Sequence, residues 1–183
     1  MREDVSRAVD AAHVGAAVAD HEPARWRCNW RLEKRWGDDQ SVDPYEVIER
    51  EGNLLLYGGA SLIWETLIGN GGAGALQYLN SGHAFLGVGD SSTAEAATQT
   101  DLQAATNKTY KAATPSHTDG TSSGNASITY SATFATGDAN YTWSEWLLTN
   151  AASGGRALNR KVAALGVKTS AASWALSVTI TLS

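Results

Sequence analysis

The feature that most constrains the fold is the strict alternation of residue types at the C-terminus, "SWALSVTITLS", residues 173–183. Every second residue is large and apolar: Trp174, Leu176, Val178, Ile180 and Leu182. Alanine, serine and threonine fill the positions between them. Successive side chains of a strand point to opposite faces, so this segment predicts a β-strand with one buried face. Such strands are typical of antiparallel sheets packed face to face.

Other parts of the second half of the chain also favour strands. The segment "AFLGV" (84–88) is short and apolar, "ASITYSATF" (126–134) alternates, and "ANYTWSEWLLTN" (139–150) alternates before it shifts to an apolar run. Turn-forming pairs and triplets separate these segments, at Asp119-Gly120, Ser123-Gly124-Asn125, Gly137-Asp138 and Ser153-Gly154-Gly155. The sequence therefore predicts a mainly β protein, an antiparallel β-sandwich with one or two short helices and an extended N-terminal arm.

Two segments are predicted to be helical. Residues 53–68, "NLLLYGGASLIWETLI", follow an asparagine cap, stop at Gly69 and are apolar on most faces, with a possible bend at Gly58 and Gly59. This helix is either the central core helix or an assembly surface. Ser92 and Glu95 have the capping-box spacing, which predicts a short helix through "TAEAATQTDLQAA" (93–105).

The first 52 residues are predicted to form an arm ahead of a body at 53–183. Residues 4–19 carry a thin, mostly alanine stripe at helical spacing: Val5, Ala8, Val9, Ala12 and Ala16. In "ARWRCNWRLEKRW" (24–36), apolar residues alternate with basic and polar ones, which predicts a strand. The acidic stretch 37–51 either neutralises these arginines or is a solvated linker.

Charge and cysteine content exclude several classes of protein. The chain has 14 Lys and Arg against 19 Asp and Glu, and its net charge of −5 argues against binding to nucleic acid. Cys28 is the only cysteine, so an internal disulfide and a multi-cysteine zinc site are excluded. The apolar runs fall short of the ~20 residues of a membrane span. We expect a protein made in a cytoplasm that binds neither nucleic acid nor membrane.

Motifs for catalysis or cofactor binding are weak. Gly87-Val88-Gly89-Asp90 has neither the third glycine nor the lysine of a phosphate loop, and is interpreted as a turn. Asp90, Glu95 and Asp101 lack the spacing of a calcium loop. No serine lies in a Gly-x-Ser-x-Gly elbow. We predict no catalytic residue, no cofactor and no metal.

Glu145 is the acid with the most distinctive surroundings, because it lies between Trp143 and Trp146. One hypothesis makes it the acid of a glycan-cleaving enzyme, which would need a second carboxylate in the same cleft. The other makes it a structural carboxylate, bonded to the backbone or to Arg156 or Arg160, and we predict this second role.

Four segments, in order, resemble small structural proteins of tailed bacteriophages. They are "GGASLIWETLIGNG", "AFLGVGDSSTAEAATQTDLQ", "YTWSEWLLTNAASGGRALNRKV" and "WALSVTITLS". Between residues 53 and 183 this order is similar to that of the N-terminal domains of phage tail-collar fibre proteins. The resemblance implies a structural role in the virion. Fibre proteins continue into a long shaft after the last strand, so we expect here a separate accessory protein.

The resemblance and the residue chemistry together predict a non-enzymatic virion subunit that docks through its N-terminal arm. A tail, baseplate or collar adaptor is preferred, with capsid decoration as the other position. The predicted partners are other virion proteins and further copies of this chain. The predicted contact residues are aromatic, basic or apolar: Arg25, Trp26, Arg27, Trp30, Arg31, Arg35, Trp36, Leu55, Leu62 and Trp64. The alternative is a carbohydrate-binding module whose exposed tryptophans contact host glycans.

Overall fold

The computed structural model describes residues 26–120 and 126–182. Its strands are β1 (Trp26–Trp36), β2 (Glu46–Glu51), β3 (Leu54–Leu55), β4 (Phe85–Gly89), β5 (Lys108–Ala112), β6 (Thr114–Thr118), β7 (Ala126–Phe134), β8 (Thr142–Thr149), β9 (Ala157–Val167) and β10 (Ala172–Leu182). One α-helix, α1 (Tyr57–Leu67), and a 3-10 turn (Gly74–Leu76) lie between β3 and β4.

These strands form two antiparallel sheets of five strands each. Sheet 1 has the order β2-β1-β10-β7-β6, and sheet 2 has the order β3-β9-β8-β4-β5. The predicted mainly β, sandwich-like fold is confirmed. The C-terminal strand is β10, which pairs on one side with β1 and on the other with β7.

The core lies between the two sheets and is rich in tryptophan. Trp143 makes edge contacts with Phe134 and Trp174, at ring-centroid distances of 4.8 and 4.7 Å. Trp30 of sheet 1 meets Trp146 of sheet 2 at 6.2 Å. Such edge-to-face pairs add to the stabilisation from the burial of the rings themselves. The alternating apolar residues of β1 and β10 point into this core.

The predicted boundary between an arm and a body at residue 52 is wrong for residues 26–51. Strand β1 lies inside sheet 1, paired along its full length with β10. The alternation that predicts a strand also gives it an apolar face, which is buried against sheet 2 with Cys28, Trp30 and Leu32. The predicted helix at 4–19 and Arg25 lie outside the described residues.

The acidic stretch after β1 is not a linker throughout, because its last residues form β2. Strand β2 pairs with β1 and brings acids beside bases. Glu49 lies 2.5 Å from the Arg31 guanidinium, and Glu46 lies 2.9 Å from Lys34 Nζ. The acids therefore neutralise the basic strand within the same chain.

The predicted apolar helix forms, but it begins at Tyr57 rather than Asn53. Leu54 and Leu55 form β3 because they extend the edge of sheet 2, opposite Arg160 and Asn159 of β9. Gly59 allows close packing, since a Cβ there would lie 2.3 Å from the carbonyl oxygen of Leu158. The helix is therefore fixed against β9 at its first turn.

The second predicted helix, at 93–105, does not form. Residues 90–107 instead run as a loop without regular structure over the outer face of sheet 2. Glu95 does not cap a helix, because its carboxylate accepts a hydrogen bond from the backbone N–H of Val162 at 2.6 Å. It also forms an ion pair with Lys161 at 3.3 Å. Glu95 therefore binds a strand that is distant in the sequence instead of capping a local helix.

The glycines of Gly87-Val88-Gly89 serve this packing and lie in β4 rather than in a turn. A Cβ on Gly87 would lie 2.8 Å from the Tyr110 ring. A Cβ on Gly89 would lie 2.6 Å from Oε1 of Glu145 and 3.0 Å from Cβ of Ala104. Both glycines therefore make room for the side chains and the loop that cover sheet 2.

Candidate functional site

Helix α1 presents large apolar side chains to solvent. Four residues, which we call the helix face, are 65 to 70% exposed: Tyr57, Trp64, Leu67 and Ile68. The opposite side of the helix is buried through Gly59 and Leu62. Tyr57, Trp64 and Ile68 are spaced by seven and four residues, which places them in one row along a helix of 3.6 residues per turn. Such a cluster on a surface marks a site of interaction.

An apolar groove of about 490 Å³ adjoins the helix face. We call it the groove; its walls include Trp26, Ile63, Leu67, Tyr78, Ile128 and Leu182. It lies where the start of β1, the start of β7 and the end of β10 meet the helix. Leu67 belongs to both the groove and the helix face, so the two form one continuous apolar surface.

A second exposed aromatic group lies at the other end of β1. Trp36 stacks on Tyr45 with ring centroids 4.4 Å apart and an angle of 22° between the planes. We call these two residues the aromatic pair; they are 63 and 44% exposed. The nearby acids are already engaged. Asp38 accepts hydrogen bonds from Thr136, and Asp39 from Ser41.

Glu145 is the centre of a buried polar network. Its carboxylate accepts hydrogen bonds from Nε of Arg160 at 2.7 Å and from the backbone N–H groups of Gln103 at 3.0 Å and Ala104 at 2.8 Å. Arg160 also donates to Oε1 of Gln99 and to the carbonyl of Thr93. Glu145 and Arg160 have no exposed surface.

The predicted structural role of Glu145 is confirmed, with Arg160 and two backbone amides as its partners. Each carboxylate oxygen is used, as a buried charge requires. A glycan-cleaving acid would need contact with both substrate and water, and Glu145 has neither exposed surface nor a free oxygen. The network joins the 90–107 loop to sheet 2 instead.

Other reactive groups are also held in structural positions. Cys28 is buried, and burial raises the pKa of its thiol to about 12, so the thiol is protonated at neutral pH. Asp101 accepts a hydrogen bond from the Tyr110 hydroxyl, and burial together with that contact raises the Tyr110 pKa. Within residues 26–120 and 126–182, no group of three His, Cys, Asp or Glu residues could hold a metal ion.

Helix α1 is too short to cross a bilayer, and no other helix in the described part of the chain is long and apolar enough to do so.

The predicted contact residues do not form one surface. Trp30 and Leu62 are buried, and Trp26 and Leu55 are half-buried. Arg27 and Arg31 are exposed on sheet 1 and Arg35 is half-buried there. Arg31 and Arg35 are both paired with Glu33, at 2.6 and 2.5 Å.

Only two of the predicted contact tryptophans are largely exposed, Trp36 and Trp64. Trp26 and Trp36 are the two ends of an eleven-residue strand, roughly 30 Å apart at the usual rise per residue. Trp26 lies in the wall of the groove, beside α1, while Trp36 forms the aromatic pair. The structure therefore divides the predicted set between two ends of the sandwich.

Sequence reasoning missed Tyr57, Leu67, Ile68 and Tyr78 as surface residues. The apolar character of residues 53–68 was the available signal, and a helix start at Tyr57 would have placed Tyr57, Trp64 and Ile68 in one row. Tyr78 gave no local signal, because it reaches the groove through the fold. Comparison of the chain with models of protein families, with curated proteins and with solved structures gave no match.

Proposed function

We propose that the protein is a non-enzymatic structural subunit of a tailed bacteriophage particle. It docks on other virion proteins, and on copies of itself, through the helix face. The observation that carries this proposal is the solvent exposure of four large apolar residues on one short helix and its C-terminal cap. The order of sequence segments resembles that of the N-terminal domains of tail-collar fibre proteins. This resemblance supports the choice of particle and favours a position on the tail side over capsid decoration.

The chemistry of the helix face suits a protein interface. Tryptophan and tyrosine are enriched among the residues that dominate binding energy, and Leu67 and Ile68 add apolar area around them. Arg31 and Arg35 of β1, in contrast, are paired with acids of the same chain. The exposed pair of Arg31 with Glu49 contributes little to stability, and both arginines already have a partner. The docking surface is therefore placed on α1 rather than on the basic strand.

The test compares two charge substitutions at equally exposed apolar positions. Trp64→Glu lies on the helix face, while Val167→Glu lies at the end of β9 and serves as the matched control; the two side chains are 65 and 64% exposed. Each variant is supplied to the particle whose genome encodes the chain, and the incorporated copies are counted by quantitative mass spectrometry. Circular dichroism checks that both variants fold.

We expect Trp64→Glu to reduce incorporation at least about tenfold, because a charge cannot be buried unpaired in an apolar interface. Val167→Glu should incorporate normally. Equal incorporation of both variants would contradict docking through the helix face. Absence of the wild-type protein from the particle would contradict the virion role itself. Where it is present, cryo-electron microscopy distinguishes a tail position from the capsid shell.

A second candidate function is carbohydrate binding at the aromatic pair. An exposed Trp36 ring held flat by Tyr45 resembles the aromatic platforms on which the apolar faces of sugars stack. The acids beside it are already hydrogen-bonded within the chain, which leaves fewer groups for sugar hydroxyls. A glycan array with Trp36→Ala and Trp64→Ala separates the two: loss of glycan binding in Trp36→Ala alone would favour this second function.

A further inference from the structure

The groove is open at the place where the described chain begins. Trp26, the first described residue, forms part of its wall, and Leu182, the last described residue, forms another part. Leu67 and Leu182 in the walls are 69 and 55% exposed. We propose that this groove is the docking site for the N-terminal segment of the same chain, residues 5–16, which covers it with the stripe of Val5, Ala8, Val9, Ala12 and Ala16.

Composition identifies the occupant among the residues outside the described ranges. Residues 121–125 are Thr-Ser-Ser-Gly-Asn and residue 183 is serine, so neither offers an apolar surface. Residues 1–25 hold the stripe at helical spacing, with charged residues between its members. Small alanine side chains also allow a helix backbone to approach a narrow groove closely. The N-terminal segment therefore matches the groove in its apolar chemistry.

The connection is long enough for the segment to reach its own groove. Nine residues, 17–25, separate the stripe from Trp26. An extended chain of this length spans about 30 Å. Because Trp26 is itself in the wall, the segment needs only to turn back along the groove. A tether of this length gives an effective concentration in the millimolar range, which favours the chain's own groove over that of another copy in dilute solution.

An unpaired donor in the wall agrees with this placement. The indole Nε1 of Trp26 is buried and has no hydrogen-bond partner among the described residues. Buried donors in proteins are nearly always paired. Residues 1–25 continue directly from Trp26, so a backbone carbonyl from this segment is a suitable acceptor. The docked segment thus supplies apolar cover and the missing acceptor together.

Cysteine cross-linking tests the proposal with a matched control. Val9 belongs to the stripe, whereas Val14 is nine residues from Val5 and lies on the opposite side of a helix. Leu67→Cys in the groove is combined with Val9→Cys in one variant and with Val14→Cys in the other. A short bismaleimide then joins the two thiols. Cys28 does not compete, because it is buried and its thiol pKa is raised to about 12.

We expect the Val9→Cys, Leu67→Cys chain to form its intramolecular cross-link at least about ten times faster than the Val14→Cys, Leu67→Cys chain. Equal rates would overturn the proposal. A mixture of the two single variants, Val9→Cys and Leu67→Cys, tests the source of the segment. If it forms cross-linked dimers as fast as the double variant reacts internally, the segment belongs to a second copy and the proposal is overturned.

Hydrogen exchange gives an independent measurement without new cysteines. Val9→Asp should speed amide exchange in the groove walls, at residues 62–67 and 126–130, while Val14→Asp should leave it unchanged. Identical exchange in both variants and in the wild-type chain would also overturn the proposal. The experiments use the free full-length chain, so their outcome is separate from that of particle incorporation.

Discussion

The outer faces of the two sheets differ, although the sheets have the same number of strands. The outer face of sheet 1, which we call the open face, carries hydroxyl pairs between β7 and β10, such as Ser131 with Ser177 and Thr129 with Thr179, each at 2.8 Å. The outer face of sheet 2, which we call the covered face, lies beneath the 90–107 loop. Its Glu145 and Arg160 have no exposed surface.

The difference shows how polar groups are satisfied on each side. Water is available on the open face, so its cross-strand pairs can be lost at little cost. On the covered face water is excluded, so every charge needs a partner within the protein. The loop has no helix or strand of its own, and its position depends on bonds to Glu145, Arg160 and Val162. The covered face is therefore the part of the fold most sensitive to substitution.

The largest effect is expected at the buried ion pair. Glu145→Ala or Arg160→Ala should lower the free energy of unfolding by about 3–5 kcal/mol, because each leaves an uncompensated buried charge. Glu49→Ala, which removes the exposed pair with Arg31 on the open face, should cost less than about 1 kcal/mol. Urea unfolding measures all three. Similar losses at Glu145 and Glu49 would remove the distinction between the two faces.

The next largest effect is expected from filling the space beside Gly89. Gly89→Ala should cost about 1–3 kcal/mol, since its Cβ would lie 2.6 Å from the fixed carboxylate of Glu145. Gly137→Ala is the control, because a Cβ there meets nothing within 4 Å, and its effect should stay within about 0.5 kcal/mol. Thermal unfolding compares the two. If Gly89→Ala and Gly137→Ala lower the free energy of unfolding equally, the loop and Glu145 do not pack tightly against Gly89 of β4.

A smaller, pH-dependent effect is expected at the contact between the two sheets. Asp138, in the turn from β7 to β8, accepts hydrogen bonds from Lys111 Nζ at 2.6 Å and from the N–H of Ala135 at 2.9 Å. The Lys111 contact is the main cause that holds the pKa of Asp138 below its ordinary value. Its stabilisation is thus complete above the unfolded-state pKa of about 3.9 and is lost as the pH falls through the lower folded-state pKa.

Asp138→Asn should therefore lower the free energy of unfolding by about 1 kcal/mol at pH 7. The difference from wild type should shrink as the pH falls below about 4. Denaturant unfolding at several pH values measures it. A difference that stays constant down to pH 2 would mean that the carboxylate charge is not the source of the stabilisation.

The smallest effect is expected on the open face. Thr179→Val removes the hydroxyl pair with Thr129 but keeps the shape of the side chain. Because water can replace the lost partner, the free energy of unfolding should change by no more than about 0.5 kcal/mol. Urea unfolding of this variant and of the wild type measures the change. A decrease in the free energy of unfolding above about 1.5 kcal/mol would show that this face is not open to water in solution.

The central strands of sheet 1 were easier to predict from the sequence than those of sheet 2. A strand with one buried face alternates, as β1 and β10 do, so their periods were visible. In β8 both faces are buried, and the alternation disappears after Glu145. Arg160, in β9, is fully buried although arginine usually indicates a surface position. The sequence analysis nevertheless named Arg160, with Arg156 as the alternative, as a partner of Glu145; the structure places Arg160 and Glu145 on neighbouring antiparallel strands.

The errors arose where distant residues overrode a local pattern. Ser92 and Glu95 have the spacing of a helix cap, but Glu95 binds Val162, 67 residues along the chain. Residues 26–36 were assigned to an arm because the strand with which they pair, β10, lies more than 130 residues later in the chain. The groove was missed for the same reason, since its walls come from both ends of the described chain.

The most direct test of the covered face is the exchange rate of two loop amides. The N–H groups of Gln103 and Ala104 donate to Glu145 beneath the loop. Native-state hydrogen exchange should find both protected to nearly the level of global unfolding. The N–H of Ser41, which is exposed and bonded only to the neighbouring Asp39 side chain, should exchange quickly. Exchange of Gln103 and Ala104 as fast as that of Ser41 would contradict the account, because the loop would then not seal sheet 2.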